Sequence, residues 1–311
     1  MITFGPIPSR RLGKSLGINN IPSHKKCTYS CIYCQVGLTK KFTASLTTFY
    51  NPEVIYDETQ KHLEKLAPAD YPDYLTFVSN GEPTLDIQLG KTIDRLKEFN
   101  IPIAVITNAS LLHLPEVRSN LCKAQWVSVK VDTSDEAIWK TINRPHPSLS
   151  FSQYKENLIT FASEFKGTLV SETMLVQAVN DAEQSLEQTA QLIKTINPKT
   201  AFISIPIRPP AIKTVSIPDE ETLNLAYQIY TETGLNTELI LGFEGTNTGF
   251  TGNIYEDILN ICTVHPIREE TMQELLAKNN ASFSVVNSLM HNHLIREVHY
   301  QEKRFYVRQF Q

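Results

Sequence analysis

Three cysteines, Cys27, Cys31 and Cys34, fall within the stretch "KKCTYSCIYCQVG" at 25–37. Thiols this close share one task, and three tasks compete. A structural zinc site takes four ligands, often as two paired knuckles. Only one knuckle-like pair, Cys31 and Cys34, is present, with His24 as the available fourth ligand. A dithiol redox motif needs only Cys-x-x-Cys and leaves Cys27 without a role. A [4Fe-4S] cluster held by three thiolates fits best, because soft donors suit iron clusters. Three thiolates leave the fourth iron open, which suits a bound small molecule and chemistry rather than electron transfer alone. The other two cysteines, Cys122 and Cys262, stand alone in apolar surroundings and read as small buried hydrophobes. An odd total of five argues against a disulfide framework and for a reducing cytoplasm.

The charge around the thiols is one-sided. Residues 1–52 carry Arg10, Arg11, Lys14, Lys25, Lys26, Lys40 and Lys41 and no acid, a formal +7 in a chain whose net charge is -4. Either this is a solvated basic arm, or it is an electropositive site that favours thiolates and attracts an anionic partner. The flanking position of the charges favours the second. A length of 311 residues suits one barrel with a small appendage, and 41% hydrophobic residues suit a soluble globular chain with a large core. No run of eighteen apolar residues exists, so no spanning helix is expected. The start "MITFGPIPSRRLGKS" lacks the apolar stretch of a secretory signal.

Elements that would position the thiols follow from periodicity. "SLGINNI" (15–21) reads as a first strand just before the cysteines. From about residue 74 strands alternate with helices. "YLTFVS" (74–79), "IPIAVIT" (101–107), "WVSVKVD" (126–132), "GTLVSETMLV" (167–176) and "AFISIPI" (201–207) read as strands. "IDRLKEF", 151–165, 182–196 and 218–234 read as helices. This alternation predicts parallel pairing through right-handed crossovers in about six units, an open, partial (β/α)6 TIM-type barrel within an α/β fold. A doubly wound sheet has the same pattern. Polar signals follow the strands: the cysteines, "NGEPT", "TNAS", "VDTSD", "VNDAE" and "RPP". Ligands of parallel α/β folds bind at that end of the strands. The barrel is expected over 1–243, with its cysteine loop at 22–38 and a Gly/Asn/Thr-rich linker at 244–253. A module at 254–311 follows, with helix, helix and hairpin in winged-helix order.

Cys27-x-x-x-Cys31-x-Tyr33-Cys34, placed after a first strand and followed by Asn80-Gly81-Glu82-Pro83 after the second, resembles the signature of the radical S-adenosylmethionine (SAM) superfamily. Within it, "FGPIPSRRLGKSLGIN", "INRP" and "PIRPP" look like the group related to wyosine-base synthases, which act on a tRNA guanosine. Those enzymes carry a second cysteine set, which this chain lacks. The resemblance implies a cluster on Cys27, Cys31 and Cys34 whose open iron binds SAM. It also implies an electron from a reductase, flavodoxin or ferredoxin, cleavage of SAM to methionine and a 5′-deoxyadenosyl radical, and hydrogen abstraction from substrate. Tyr33 and the Asn80-Gly81-Glu82-Pro83 turn are implied to contact the cofactor; the family's usual turn has Gly where this chain has Asn80. Asn108, at a strand end, is expected near the SAM carboxylate or ribose. Glu172 and Arg208 are expected to contact SAM or substrate, and Arg10 and Arg11 to clamp a phosphate if they bind anything.

In "WVSVKVD", Val127, Val129 and Val131 share one face and Ser128, Lys130 and Asp132 the other. Lys130 and Asp132 are the catalytic candidates. Asp132 is the expected ion-pair partner of Lys130, and Lys130 alternatively binds an anion or forms a Schiff base. Residues 263–311 hold six basic and five acidic residues, net +1, less basic than a nucleic-acid module usually is. Three functions follow: a radical enzyme on a tRNA base or other nucleotide; one on a protein, peptide or small molecule; or a metal-stabilised winged-helix regulator.

Overall fold

The computed structural model describes residues 2–22, 24–39, 41–242, 245–246, 248–249 and 251–309. The expected linker at 244–253 and Lys40 therefore lie partly or wholly outside the described residues.

One sheet organises the chain. Its strands are β1 (Thr3–Ser9) and β2 (Gly13–Ile18), then β5 (Tyr74–Phe77), β6 (Ile103–Thr107), β7 (Trp126–Lys130), β8 (Thr168–Met174), β9 (Thr200–Ser204) and β10 (Thr237–Ile240). The short pair β3 (Lys26–Cys27) and β4 (Lys41–Phe42) lies between β2 and β5 in the chain. The order is β1-β2-β5-β6-β7-β8-β9-β10. β1 pairs antiparallel with β2 and every other neighbour is parallel. Parallel strands buried on both faces read as apolar runs, and Ile103, Val105, Val127, Val129, Ala201 and Ile203 are fully buried. The helices Pro52–Lys65, Leu89–Leu96, Pro115–Leu121, Phe151–Glu164, Glu183–Ile196 and Glu220–Glu232 connect the strands. Several open on side-chain caps: Asn51 accepts from the Glu53 amide, Ser150 from Gln153 and Asp219 from Thr222.

This is an open, curled partial barrel, as the alternation predicts. It has one parallel strand more than expected, β10, and an antiparallel edge, β1, that the sequence reading lacks. The first parallel strand also ends at Ile18, so Asn19 and Asn20 lie in the turn after it. Gly17 makes room for β1: a Cβ there would overlap the Phe4 ring.

The C-terminal residues form the helices Ile254–Val264, Glu269–Lys278 and Ser284–His291, with β11 (Ile267–Arg268), β12 (Ile295–Tyr300) and β13 (Lys303–Arg308). The three strands are antiparallel in the order β11-β13-β12. The expected helix, helix and hairpin are present, preceded by one more helix. Their core is not self-contained: Phe4 of β1 is buried among Ile258, Ile261, Met272, Leu275, Val286 and Tyr306.

Candidate active site

Two turns after adjacent strands are stapled together. Asn19 accepts from the Asn80 amide at 2.8 Å. Asn20 donates to Pro83 O and Asp86 Oδ2, each at 3.1 Å, and accepts from Ser79 Oγ. The cysteine loop then pairs with the second turn. The Lys26 amide donates to Asn80 O at 3.2 Å, and the Glu82 amide to Lys26 O at 3.1 Å. Gly81 sits between these bonds at φ +138°, where a Cβ would overlap the Lys26 carbonyl. On the other side, Ser30 and Ile32 amides donate to Asn143 O and Ile142 O, and the His146 amide to Thr28 O at 2.8 Å. The backbone around the thiols is thus held from both flanks.

Cys27, Cys31 and Cys34 are free thiols. Burial pushes Cys27 up to about 11 and Cys31 up to about 12, so both are neutral near pH 7. Forming a metal–thiolate bond therefore releases protons. The countercharge is in place: Lys25, 5% exposed, donates to Cys34 Sγ at 3.1 Å and to Gly37 O at 2.6 Å. Burial alone would depress its pKa, but the charge of the cysteine sulfurs when ionised, Cys34 first, raises it. Amide donors address two other sulfurs. Asn108 Nδ2 lies 3.6 Å from Cys27 Sγ and Asn143 Nδ2 3.5 Å from Cys31 Sγ. Among the described residues no three His, Cys, Asp or Glu side chains converge as a single-ion site. A cube bonds each thiolate at a different iron and asks for no such convergence. The donor set fits a [4Fe-4S] cluster: three free soft ligands on one braced loop, with a cation beside them.

Glu82 is 2% exposed. Its Oε1 accepts from the Thr84 amide, Thr84 Oγ1 at 2.7 Å and Thr107 Oγ1 at 2.6 Å; its Oε2 accepts from the Asn108 amide at 2.8 Å. Burial still raises its pKa against these bonds. Lys130 does not pair with Asp132. It donates to Glu172 Oε1 at 2.8 Å, its register partner on β8. Glu172 also accepts from Ser204 Oγ at 3.0 Å and from Arg11. Burial would raise the Glu172 pKa, but Arg11 and then Lys130 hold it far below the usual carboxylate range. Asp132 instead accepts from Tyr33 Oη, from Asn143 Nδ2 at 2.7 Å and from the Met174 amide at 2.8 Å.

Replacing Glu172 with Gln should remove the carboxylate that two largely buried cations share and cost about 3 kcal/mol, read by chemical denaturation. The depressed pKa implies that this stabilisation is complete above about 4.5, the ordinary value, and is lost as pH falls below it. The variant should lack that acid-side decline.

A cavity of 270 Å³ gathers these groups. Tyr33, Gly81, Glu82, Asn108, Lys130, Glu172 and Arg208 line it together with Cys31, Cys34, Arg10 and Arg11. Asn80, Pro83, Asp132 and Cys27 stand outside its wall. Asn80 and Pro83 shape the turn, and the two amide atoms of Asn80 are buried without a partner among the described residues. Asp132 braces Tyr33 and Asn143. Arg208 donates to Gln35 Oε1 at 3.2 Å and contacts His265 Nε2 at 2.9 Å. Cys122 is exposed rather than buried, whereas Cys262 is buried as expected.

Residues 21–193 match the sequence profile of the radical SAM superfamily. The chain belongs to the radical SAM superfamily. A UPF0026 protein of Methanocaldococcus jannaschii is 44% identical over 309 residues, covering 99% of this chain and 96% of that protein. A UPF0026 protein of Helicobacter pylori is 32% identical over 224 residues, 71% of each chain. Among solved structures, Streptococcus suis SuiB bound to precursor peptide SuiA aligns with a TM-score of 0.53 at 10% identity, covering 72% of this chain and 48% of that one. That likeness is one of fold. Membership of that superfamily implies SAM and an iron–sulfur cluster as cofactors. No helix among the described residues is long and apolar enough to cross a membrane.

Three supports of the candidate site carry no plain signal in the sequence. Asn143 lies in the "INRP" stretch, whose likeness to the family says nothing of its side-chain bonds to Cys31 and Asp132. Thr107 sits one residue before Asn108 and braces Glu82. Ser204 ends β9 and reaches Glu172, a contact without a local sequence signal.

Proposed function

We propose that Cys27, Cys31 and Cys34 hold a [4Fe-4S] cluster beside the cavity, and that the enzyme removes a hydrogen atom from a tRNA base or another nucleotide in the cytoplasm. The observation that carries this reading is the convergence of Cys31, Cys34, Gly81, Glu82, Asn108, Lys130 and Glu172 on one cavity wall. When bound, the cluster and SAM supply the reductive cleavage that yields the hydrogen-abstracting radical.

The residues supply position and charge. Glu82 keeps a carboxylate fixed for an ammonium group. Gly81 lets a ligand approach the backbone. Arg11 and Lys130 share the single carboxylate of Glu172, an excess of one positive charge that suits an anionic substrate group. Val78, Ile106, Ile205, Ile207 and Ile240 line the rest of the wall and exclude water. The C-terminal helices and hairpin support a winged-helix reading, and the electron would come from a flavodoxin, ferredoxin or dedicated reductase. A protein, peptide or small-molecule substrate is the second reading, favoured by the near-neutral charge of residues 263–311.

The test is anaerobic reconstitution with iron and sulfide, reduction in the presence of SAM and assay of 5′-deoxyadenosine. Release that depends on all three cysteines is expected. Zinc uptake with intact SAM would sink the reading and favour the regulator.

A further inference from the structure

The outer side of the cysteine loop carries a second concavity. A groove of 360 Å³ runs over Ser30, Phe42, Trp139, Lys140, Arg144 and His146. Ser30 lines this groove and Cys31, the next residue, lines the cavity, so one loop separates the two. Phe42 is 39% exposed although it is aromatic, and its ring centroid lies 5.1 Å from that of His146 at a tilt of 58°. Trp139 closes the floor, fixed by its indole bond to Tyr29 Oη at 3.0 Å. The aromatic faces are therefore held by the same backbone that carries the thiols: Tyr29 bridges to Pro145, and His146 N donates to Thr28 O.

Two cations, Lys140 and Arg144, line the groove beside these faces, and more positive charge lies close by in the chain. Lys41 precedes Phe42 on β4 and pairs in register with Lys26 on β3. Lys140 is joined to Glu136 at 2.8 Å, and the exposed Arg144 has no ion pair among the described residues. Residues 1–52, which supply Lys26 and Lys41, contain no acid to offset them.

We propose that this groove docks single-stranded RNA. One unstacked base lies on Phe42 with His146 at its edge, and the flanking phosphates meet Arg144 and Lys140. Stacking faces alternating with cations match a chain whose π-faces alternate with phosphates. An acidic peptide would use the cations and leave the aromatic faces idle. This docking deepens the nucleotide reading above, and rests on it for the fate of the bound RNA; the binding itself is measured without SAM.

The test is fluorescence anisotropy of the full-length reconstituted protein with a fluorescein-labelled twelve-residue oligouridine and with bulk tRNA, across a salt series. Phe42→Ala/Arg144→Ala should weaken both about tenfold or more, and Arg144→Ala alone should flatten the salt slope by about one. Phe42→Trp, which keeps a π-face, should retain parental affinity. Arg296→Ala/Lys303→Ala, on the C-terminal hairpin, should bind like the parent. Parental affinity of the Phe42/Arg144 double variant overturns the proposal, as does a loss confined to the hairpin variant. Thermal melts confirm that the exposed substitutions fold. Release of 5′-deoxyadenosine without RNA is read separately. Failure of the groove leaves that release intact, and failure of the radical reading leaves the anisotropy intact.

Discussion

Alanine at Cys27, Cys31 or Cys34 should each yield folded protein that retains no stable cluster after anaerobic reconstitution, measured as iron and acid-labile sulfide per chain. The reason is the number of donors. The loop offers three thiols, and no other free thiol lies near them: Cys122 is exposed beside the helix Pro115–Leu121, and Cys262 is buried in the C-terminal core. Losing one leaves two anchors for a four-iron cluster. The fold survives because the loop is held by backbone bonds to Asn80, Ile142 and Asn143 rather than by the sulfurs. The controls separate cluster loss from general damage. Cys122→Ala should match the parent in both stability and iron. Cys262→Ala should keep the cluster while losing about 1 kcal/mol, since its thiol fills a core and contacts Tyr306 O at 3.4 Å. Full iron and sulfide in any of the three loop variants would refute the ligand assignment.

Gly81→Ala should have the second-largest effect. Two costs act at one atom. The backbone at φ +138° is a conformation L-residues rarely adopt, and the added methyl meets the Lys26 carbonyl, a backbone atom that cannot swing aside. Relief requires separating the second turn from the cysteine loop and breaking the Lys26–Asn80 and Glu82–Lys26 bonds. A loss of about 3 kcal/mol or more is expected, with loss of cluster retention because Cys27 adjoins Lys26. Gly37→Ala is the instructive comparison. It also has positive φ, +90°, but nothing lies near its Cβ, so it should cost only about 1 kcal/mol. Equal effects for the two glycines would show that strain alone, not the clash, matters.

Much of the barrel is readable from residue 74 onward because strands buried on both faces are unbroken apolar runs. β1 escapes because "TFGPIPS" holds a glycine and two prolines, the marks of a turn rather than an edge strand. β10 escapes because four residues with Glu238 exposed show no period. The helix Pro52–Lys65 hides in a polar sequence whose buried positions include Thr59 and His62. In the site, the thiols and the Asn80–Pro83 turn are legible through spacing, which is local. The partner of Lys130 is not. Asp132 looks right because alternate residues of one strand share a face, but the strand ends at Lys130 and Asp132 turns to Tyr33. Glu172 stands opposite Lys130 only through the register of two parallel strands joined by a long crossover.

Phe4 has a bearing on how the protein is made. It is synthesised long before the pocket that shelters it, which is built from Ile258 through Tyr306. At 5–20 residues per second, that side chain waits on the order of ten to fifty seconds for its cover. Until then the outer edge of β1 and an aromatic ring stay open to solvent, a surface that chaperones hold. Removing residues 254–309 would make that delay permanent, so truncation should produce an aggregation-prone barrel rather than a free-standing one.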